Sequence, residues 1–219
     1  MKKILMVVTN AEKLNDRETG LWLSEFVEPS TEWRDSGFEI TAASIKGGKI
    51  PIDPNSYTNE LPRVWDGVME PINDTKKLSE VNPEYYDAIF FCGGHGAVVD
   101  FPNNKEIESL IAHFSKNKKL IGSICHGPAA FVGTKGEDGQ TFINGVKMTG
   151  FSNKEEKAVE MEEAVPFLLE NELKESGAHF QAKGPEESYV VVDGQFITGQ
   201  NHRSTYEIAQ VFKEHLEKA

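Results

Sequence analysis

Long apolar runs are missing from this chain. No stretch of its 219 residues approaches the roughly 20 consecutive apolar residues that a bilayer-spanning helix needs, and a soluble, cytoplasmic protein is the expectation. The opening MKKILMVVTN has two lysines and a short apolar run, but no small-residue cleavage site follows, so it reads as a first strand rather than a signal peptide. Positive charge is also scarce. Lys and Arg total 23 against 35 Asp and Glu, a net charge of −12, and no basic cluster is long enough to follow a phosphate backbone. That sets nucleic acid aside as a partner. Cysteine is scarcest, with only Cys92 and Cys125, in neither Cys-x-x-Cys nor zinc-type Cys/His spacing. A disulfide framework and a structural zinc site are therefore not expected, and no ligand cluster in the sequence asks for a metal or an organic cofactor.

What remains is an ordinary globular composition, 38% hydrophobic and 26% charged, of a length that favours one α/β domain over residues 1–219. Short apolar runs alternate with helical patterns, which predicts a doubly wound, mostly parallel sheet flanked by helices. Strands are predicted at Lys3–Val8, Phe38–Ser44, Ala88–Cys92, Lys119–Ile124, Tyr189–Val192 and Phe196–Thr198. Helices are predicted at Gly20–Asp35, Lys105–Lys116, Gly127–Val132, Glu155–Glu160, Val165–Lys174 and Ser204–Lys218. Residues 45–84, with Pro51, Pro54, Pro62, Pro71 and Pro83, read as a long surface excursion carrying a helical turn at Thr75–Glu80. Asp193-Gly194 between two β-rich runs predicts a hairpin.

The chemistry concentrates in GSICHGPAA, residues 122–130. An apolar strand runs straight into small residues and then Gly127-Pro128, a helix-start signal. This is the arrangement of a nucleophile elbow, normally Gly-x-Ser-x-Gly, with Cys125 at the turn. A cysteine at a strand end is ordinarily core packing, and Cys92 inside AIFFCGG is read that way. For Cys125 the strand, the small flanks and the helix start coincide, and a helix N-terminus beneath it would favour thiolate over thiol. His126 follows directly and would need a carboxylate to orient its ring. The glycine loop Gly93-Gly94-His95-Gly96 ends another apolar strand, where backbone N–H groups can approach a reacting centre. Gly94 and His126 are thus the candidate oxyanion-hole donors. Glu25 stands among apolar neighbours in LWLSEFV, so desolvation should raise its pKa and let it donate a hydrogen bond to a thiolate.

Five motifs in order, TGLWLSE, GGHGAVVDF, ICHGPAA, MTGFSNKEE and ITGQNHRST, make the chain resemble the ThiJ/PfpI superfamily almost end to end. The resemblance implies a flavodoxin-like, class I glutamine amidotransferase-like fold. Within the superfamily the motifs are most similar to the branch of glutathione-independent glyoxalases (glyoxalase III), also described as chaperone-like and as deglycases. It implies a Cys125-His126-Glu156 triad, with Glu155 as the rival for the third place, and Glu25 beside the thiol. It further implies conversion of 2-oxoaldehydes such as methylglyoxal to lactate without a cofactor, and a homodimer. Two other readings stand beside it: a stress-related holdase for unfolded clients, or redox sensor, and a cysteine hydrolase or amidase of the PfpI type.

Overall fold

The most apolar runs of the sequence lie side by side at the centre of a seven-stranded sheet. The computed structural model describes residues 1–57 and 63–219. The sheet strands are β1 (Lys3–Val8), β2 (Glu39–Ser44), β3 (Lys76–Lys77), β4 (Ala88–Phe91), β5 (Leu120–Ile124), β6 (Val190–Asp193) and β7 (Phe196–Gly199). Their spatial order is β6-β7-β5-β4-β1-β2-β3, and every pairing is parallel except the β6–β7 hairpin. All residues of β4 and β5 are buried, which is the pattern of strands covered on both faces.

The helices are α1 (Leu23–Asp35), α2 (Asp66–Asn73), α3 (Ala97–Asp100), α4 (Lys105–Lys116), α5 (Asn153–Ala158), α6 (Leu169–Glu175) and α7 (Thr205–Lys218). Side chains alternate across a strand, so Phe90 and Phe91 leave β4 on opposite faces. Phe90 meets Trp33 of α1 and Phe212 of α7, at ring-centroid distances of 5.2 and 5.6 Å. Phe91 meets Phe101 and Phe131, each at 6.0 Å. The Trp33 indole N–H also donates to the Ala209 carbonyl at 2.9 Å, tying α1 to α7. Losing any one of these buried rings should cost about 3–5 kcal/mol.

The mostly parallel, helix-flanked sheet and the Asp193-Gly194 hairpin agree with the sequence reading. Several elements differ, among them helix α5, which spans Asn153–Ala158 rather than Glu155–Glu160. Helix α1 begins at Leu23 rather than Gly20, because Leu21 bridges to Ile52 and Trp22 is extended. Helix α6 begins at Leu169 rather than Val165. Residues 127–131 form a 3-10 turn instead of an α-helix, with Ala129 N–H bonded to the His126 carbonyl. Within the 45–84 excursion, Thr75 exchanges both backbone hydrogen bonds with Gly48 and β3 pairs with β2, so the expected helical turn is confined to Leu78–Glu80. The same excursion holds α2, hidden in the sequence by Gly67 and Pro71 but burying Val68 and Ile72, four residues apart. Its residues 58–62, Pro62 among them, lie outside the described residues.

Candidate active site

At the end of β5 the chain turns sharply at Cys125, whose φ of 58° lies in the left-handed region. A non-glycine residue there costs about 1–3 kcal/mol unless its surroundings hold it. They do: the Cys125 N–H donates to the Gly199 carbonyl at 3.0 Å, and its carbonyl accepts from the Phe151 N–H at 2.8 Å. The turn also needs its glycines. A Cβ at Gly127 would stand 2.2 Å from the Phe91 carbonyl oxygen, and one at Gly93 would stand 2.5 Å from Glu25 Oε2.

This bend brings the adjacent imidazole round to the thiol, with Cys125 Sγ 3.5 Å from His126 Nδ1. The other ring nitrogen, Nε2, is 2.8 Å from Glu156 Oε2. A carboxylate accepts only, so Nε2 carries the proton and Nδ1 is left as an acceptor facing the sulfur. Burial, followed by the nearby His95, lowers the His126 pKa against the opposing pull of Glu156, so the ring is neutral near neutral pH. Glu156 is itself buried, which pushes its carboxyl up. The charge and hydrogen bonds of His126 and His95 outweigh burial and hold it well below the ordinary carboxylate range.

His95 belongs to this constellation through its side chain, which sequence reasoning missed. The GGHG loop predicts backbone N–H donors, and the structure adds its side chain, with His95 Nε2 2.6 Å from Glu156 Oε1. Its ring lies 4.1 Å from that of His126, tilted by 40°, and Phe151 packs against both. A histidine between glycines at the end of a buried strand was the available signal.

Glu155 and Glu156 are neighbours with separate partners. Glu155 closes the capping box of α5 with Ser152 and accepts from Asn201 Nδ2 at 2.6 Å, whereas Glu156 faces the two imidazoles. Helix geometry explains the division, since adjacent residues project about 100° apart.

Glu25, from the first turn of α1, is fully buried. Its Oε2 accepts the Gly93 N–H at 2.8 Å, while Oε1 has no hydrogen-bond partner among the described residues. Burial raises its pKa to about 8, against the lowering influences of Cys125 and the Gly93 N–H, so the group is mostly protonated at neutral pH. Burial and the adjoining Glu25 likewise push the Cys125 thiol up, opposed by the Gly94 N–H. The expectation of a thiolate favoured by a helix start is therefore corrected: the 3-10 turn is five residues long, and burial dominates. Cys92, one residue past β4, is fully buried and packs in the core.

The site sits beside the carboxyl ends of β4 and β5, where open α/β sheets bind ligands. Above Cys125 lies a cavity of about 450 Å³, reached by Gly94, His95, His126, Phe151 and Trp22. His95, His126 and Glu156 also form the one convergent group of metal-ligand atoms among the described residues, all within 4.8 Å. Their mutual hydrogen bonds use the same Nε2 and carboxylate atoms that an ion would need. No helix among the described residues is long and apolar enough to cross a membrane.

Known proteins resemble this chain over almost its whole length. The model of the DJ-1/PfpI family matches residues 2–215. The chain is 27% identical to the glutathione-independent glyoxalase HSP31 of Saccharomyces cerevisiae, over 95% of each chain. Among solved structures, Rapid Encystment Protein 24 KDa of Francisella tularensis superposes with a TM-score of 0.94 at 40% identity, covering 99% of each chain. Glyoxalase III of Candida albicans superposes with a TM-score of 0.87 at 25% identity, covering 97% of this chain and 96% of the other.

Proposed function

This chain belongs to the DJ-1/PfpI family, and from that premise we propose that it is a glutathione-independent glyoxalase acting on 2-oxoaldehydes through Cys125. The observation that carries this reading is the file Cys125–His126–Glu156, whose first two members line a cavity, with the buried Glu25, its pKa raised by burial, near the thiol.

His126 Nδ1 takes the thiol proton, and Glu156 steadies the imidazolium that results. The thiolate attacks the aldehyde carbon, and the N–H groups of Gly94 and His126 receive the developing oxyanion. His126 returns its proton to the oxyanion to give the neutral hemithioacetal, then takes the C1 proton while Glu25 protonates the C2 oxygen to form an enediol; return of the proton from His126 to C2, as the C1 hydroxyl reprotonates Glu25, gives a thioester. Glu25 and His126 are the proton carriers for this transfer. Water then releases the 2-hydroxy acid and restores the thiol. The aldehyde carbon is oxidised as the ketone carbon is reduced, so no external oxidant or cofactor enters.

The test is lactate formation from methylglyoxal in the absence of glutathione, followed by a coupled assay rather than by loss of dicarbonyl, which arginines and thiols also trap. Many turnovers by the wild type and none by Cys125→Ala support the reading. Absence of lactate from the folded wild type overturns it.

A further inference from the structure

The cavity is larger than the smallest 2-oxoaldehyde requires. At about 450 Å³ it falls in the range that encloses drug-sized ligands, whereas a three-carbon dicarbonyl would occupy only its floor. The remaining wall is specific in character. Trp22 lines it with its indole set against the His202 ring at 5.2 Å, a flat apolar surface. Beside it is Asp53, only 4% exposed and held by its own backbone, whose N–H donates to the Leu21 carbonyl at 2.9 Å.

The Asp53 carboxylate is underused. Oδ1 accepts from the Asn55 N–H at 2.9 Å and from Asn55 Nδ2 at 3.2 Å, while among the described residues Oδ2 has a single 3.3 Å contact, from Thr19 Oγ1. No salt bridge among the described residues includes Asp53. A carboxylate can accept about four hydrogen bonds, so this buried group has capacity left toward the cavity. What would satisfy it is a donor that brings no negative charge. Glu18 and Glu186 line the same cavity, Glu186 paired with Arg203 at 2.9 Å, and Arg17 is the one Lys or Arg in the lining among the described residues, a balance that disfavours phosphorylated or carboxylated ligands.

A buried carboxylate, an adjoining amide at the rim and a flat aromatic face together suit a hydroxylated carbon chain. Hydroxyl groups donate to Asp53 and bond with Asn55, while the C–H edges of the chain lie on Trp22. We propose that this wall is a polyol subsite, and that the preferred substrates are neutral, sugar-derived 2-oxoaldehydes longer than three carbons. The inference rests on the glyoxalase reading and specifies its substrate class. The overall change is R–CO–CHO plus water giving R–CHOH–COOH. C1 rises to the acid level, C2 falls to the alcohol, water supplies the added oxygen, and the Cys125 thiol is regenerated.

The experiment compares three 2-oxoaldehydes: methylglyoxal, 2-oxohexanal, and 3-deoxyglucosone, which adds three hydroxyls to a six-carbon chain. kcat/KM is expressed on the open-chain concentration of each. The expected result is a preference of about tenfold or more for 3-deoxyglucosone over 2-oxohexanal, carried mainly by KM and reduced severalfold by Asp53→Asn. Equal values for the two six-carbon compounds, or turnover of methylglyoxal alone, overturn the polyol subsite and leave the glyoxalase reading intact. A preference unchanged in both Asp53→Asn and Asn55→Ala overturns the assignment to this wall. No turnover of any of the three removes the glyoxalase reading and this inference with it.

Discussion

Glu25 and Glu156 flank the same cysteine and histidine, and both are nearly sealed from solvent. On the α1 side, Glu25 has one backbone N–H and no cation, so burial prevails and its pKa rises to about 8. On the α5 side, Glu156 receives two imidazoles, one on each oxygen, and its carboxyl is held well below the ordinary range despite burial. Partner chemistry therefore decides protonation where depth alone does not. The difference leaves one proton-bearing acid and one fixed anion within a single site, the division of labour that the proposed proton transfer would use.

The largest effect should come from abolishing the anion. Glu156→Gln is expected to lower turnover by about 10³-fold, on the scale of lost acid–base catalysis, as measured by steady-state kinetics with the fold checked by circular dichroism. Its pH signature runs with the depressed pKa. The stabilising contribution of Glu156 is present above its unfolded value near 4.5 and fades as pH falls toward the folded one. Denaturant titrations on the acid side should therefore show a shallower loss of stability in the variant than in the wild type.

Glu25→Gln should cost about 10²-fold in turnover, because the amide keeps the bond to Gly93 but cannot exchange a proton. Its stability signature is opposite. Between about 4.5 and 8 the folded chain holds a proton at Glu25 that the unfolded chain has released, so this group's contribution declines as pH rises through that window. Relative to the wild type, the variant should gain stability toward pH 8, by on the order of a few kcal/mol in urea titrations.

Smaller changes sharpen the comparison. His95→Gln, leaving Glu156 with one imidazole, should lower kcat about tenfold and move the acidic limb of the pH profile upward. Ser152→Ala, which opens the capping box that sets the start of α5, should cost about 1 kcal/mol of stability in denaturant titration.

The legible parts of this molecule were those written in contiguous residues. The buried strands and the Asp193-Gly194 hairpin follow from apolar runs and turn chemistry, and Cys125 and His126 stand together where a strand meets small residues. What depended on distant chain segments was harder. The interior of NKEEK gave no ground to separate Glu155 from Glu156, because the partners that distinguish them, Asn201, His95 and His126, come from three other loops. The His95 side chain is hard to place from sequence because its flanking glycines are a backbone signal and its partner Glu156 lies on a distant segment. Helix α2 is hard to place because Gly67 and Pro71 weaken a propensity that packing of Val68 and Ile72 restores. The direction of the Cys125 shift was misjudged for a related reason: a Gly-Pro start signals a helix but not its length, and the 3-10 turn that forms leaves burial in control.

The pairing of a protonated acid with a fixed anion is tested most directly by the pH dependence of kcat/KM for methylglyoxal in the wild type and in Glu25→Gln. The account expects wild-type activity to fall above about pH 8 as Glu25 loses its proton, and that limb to vanish from the residual activity of the variant. An alkaline limb that persists unchanged in Glu25→Gln would contradict it.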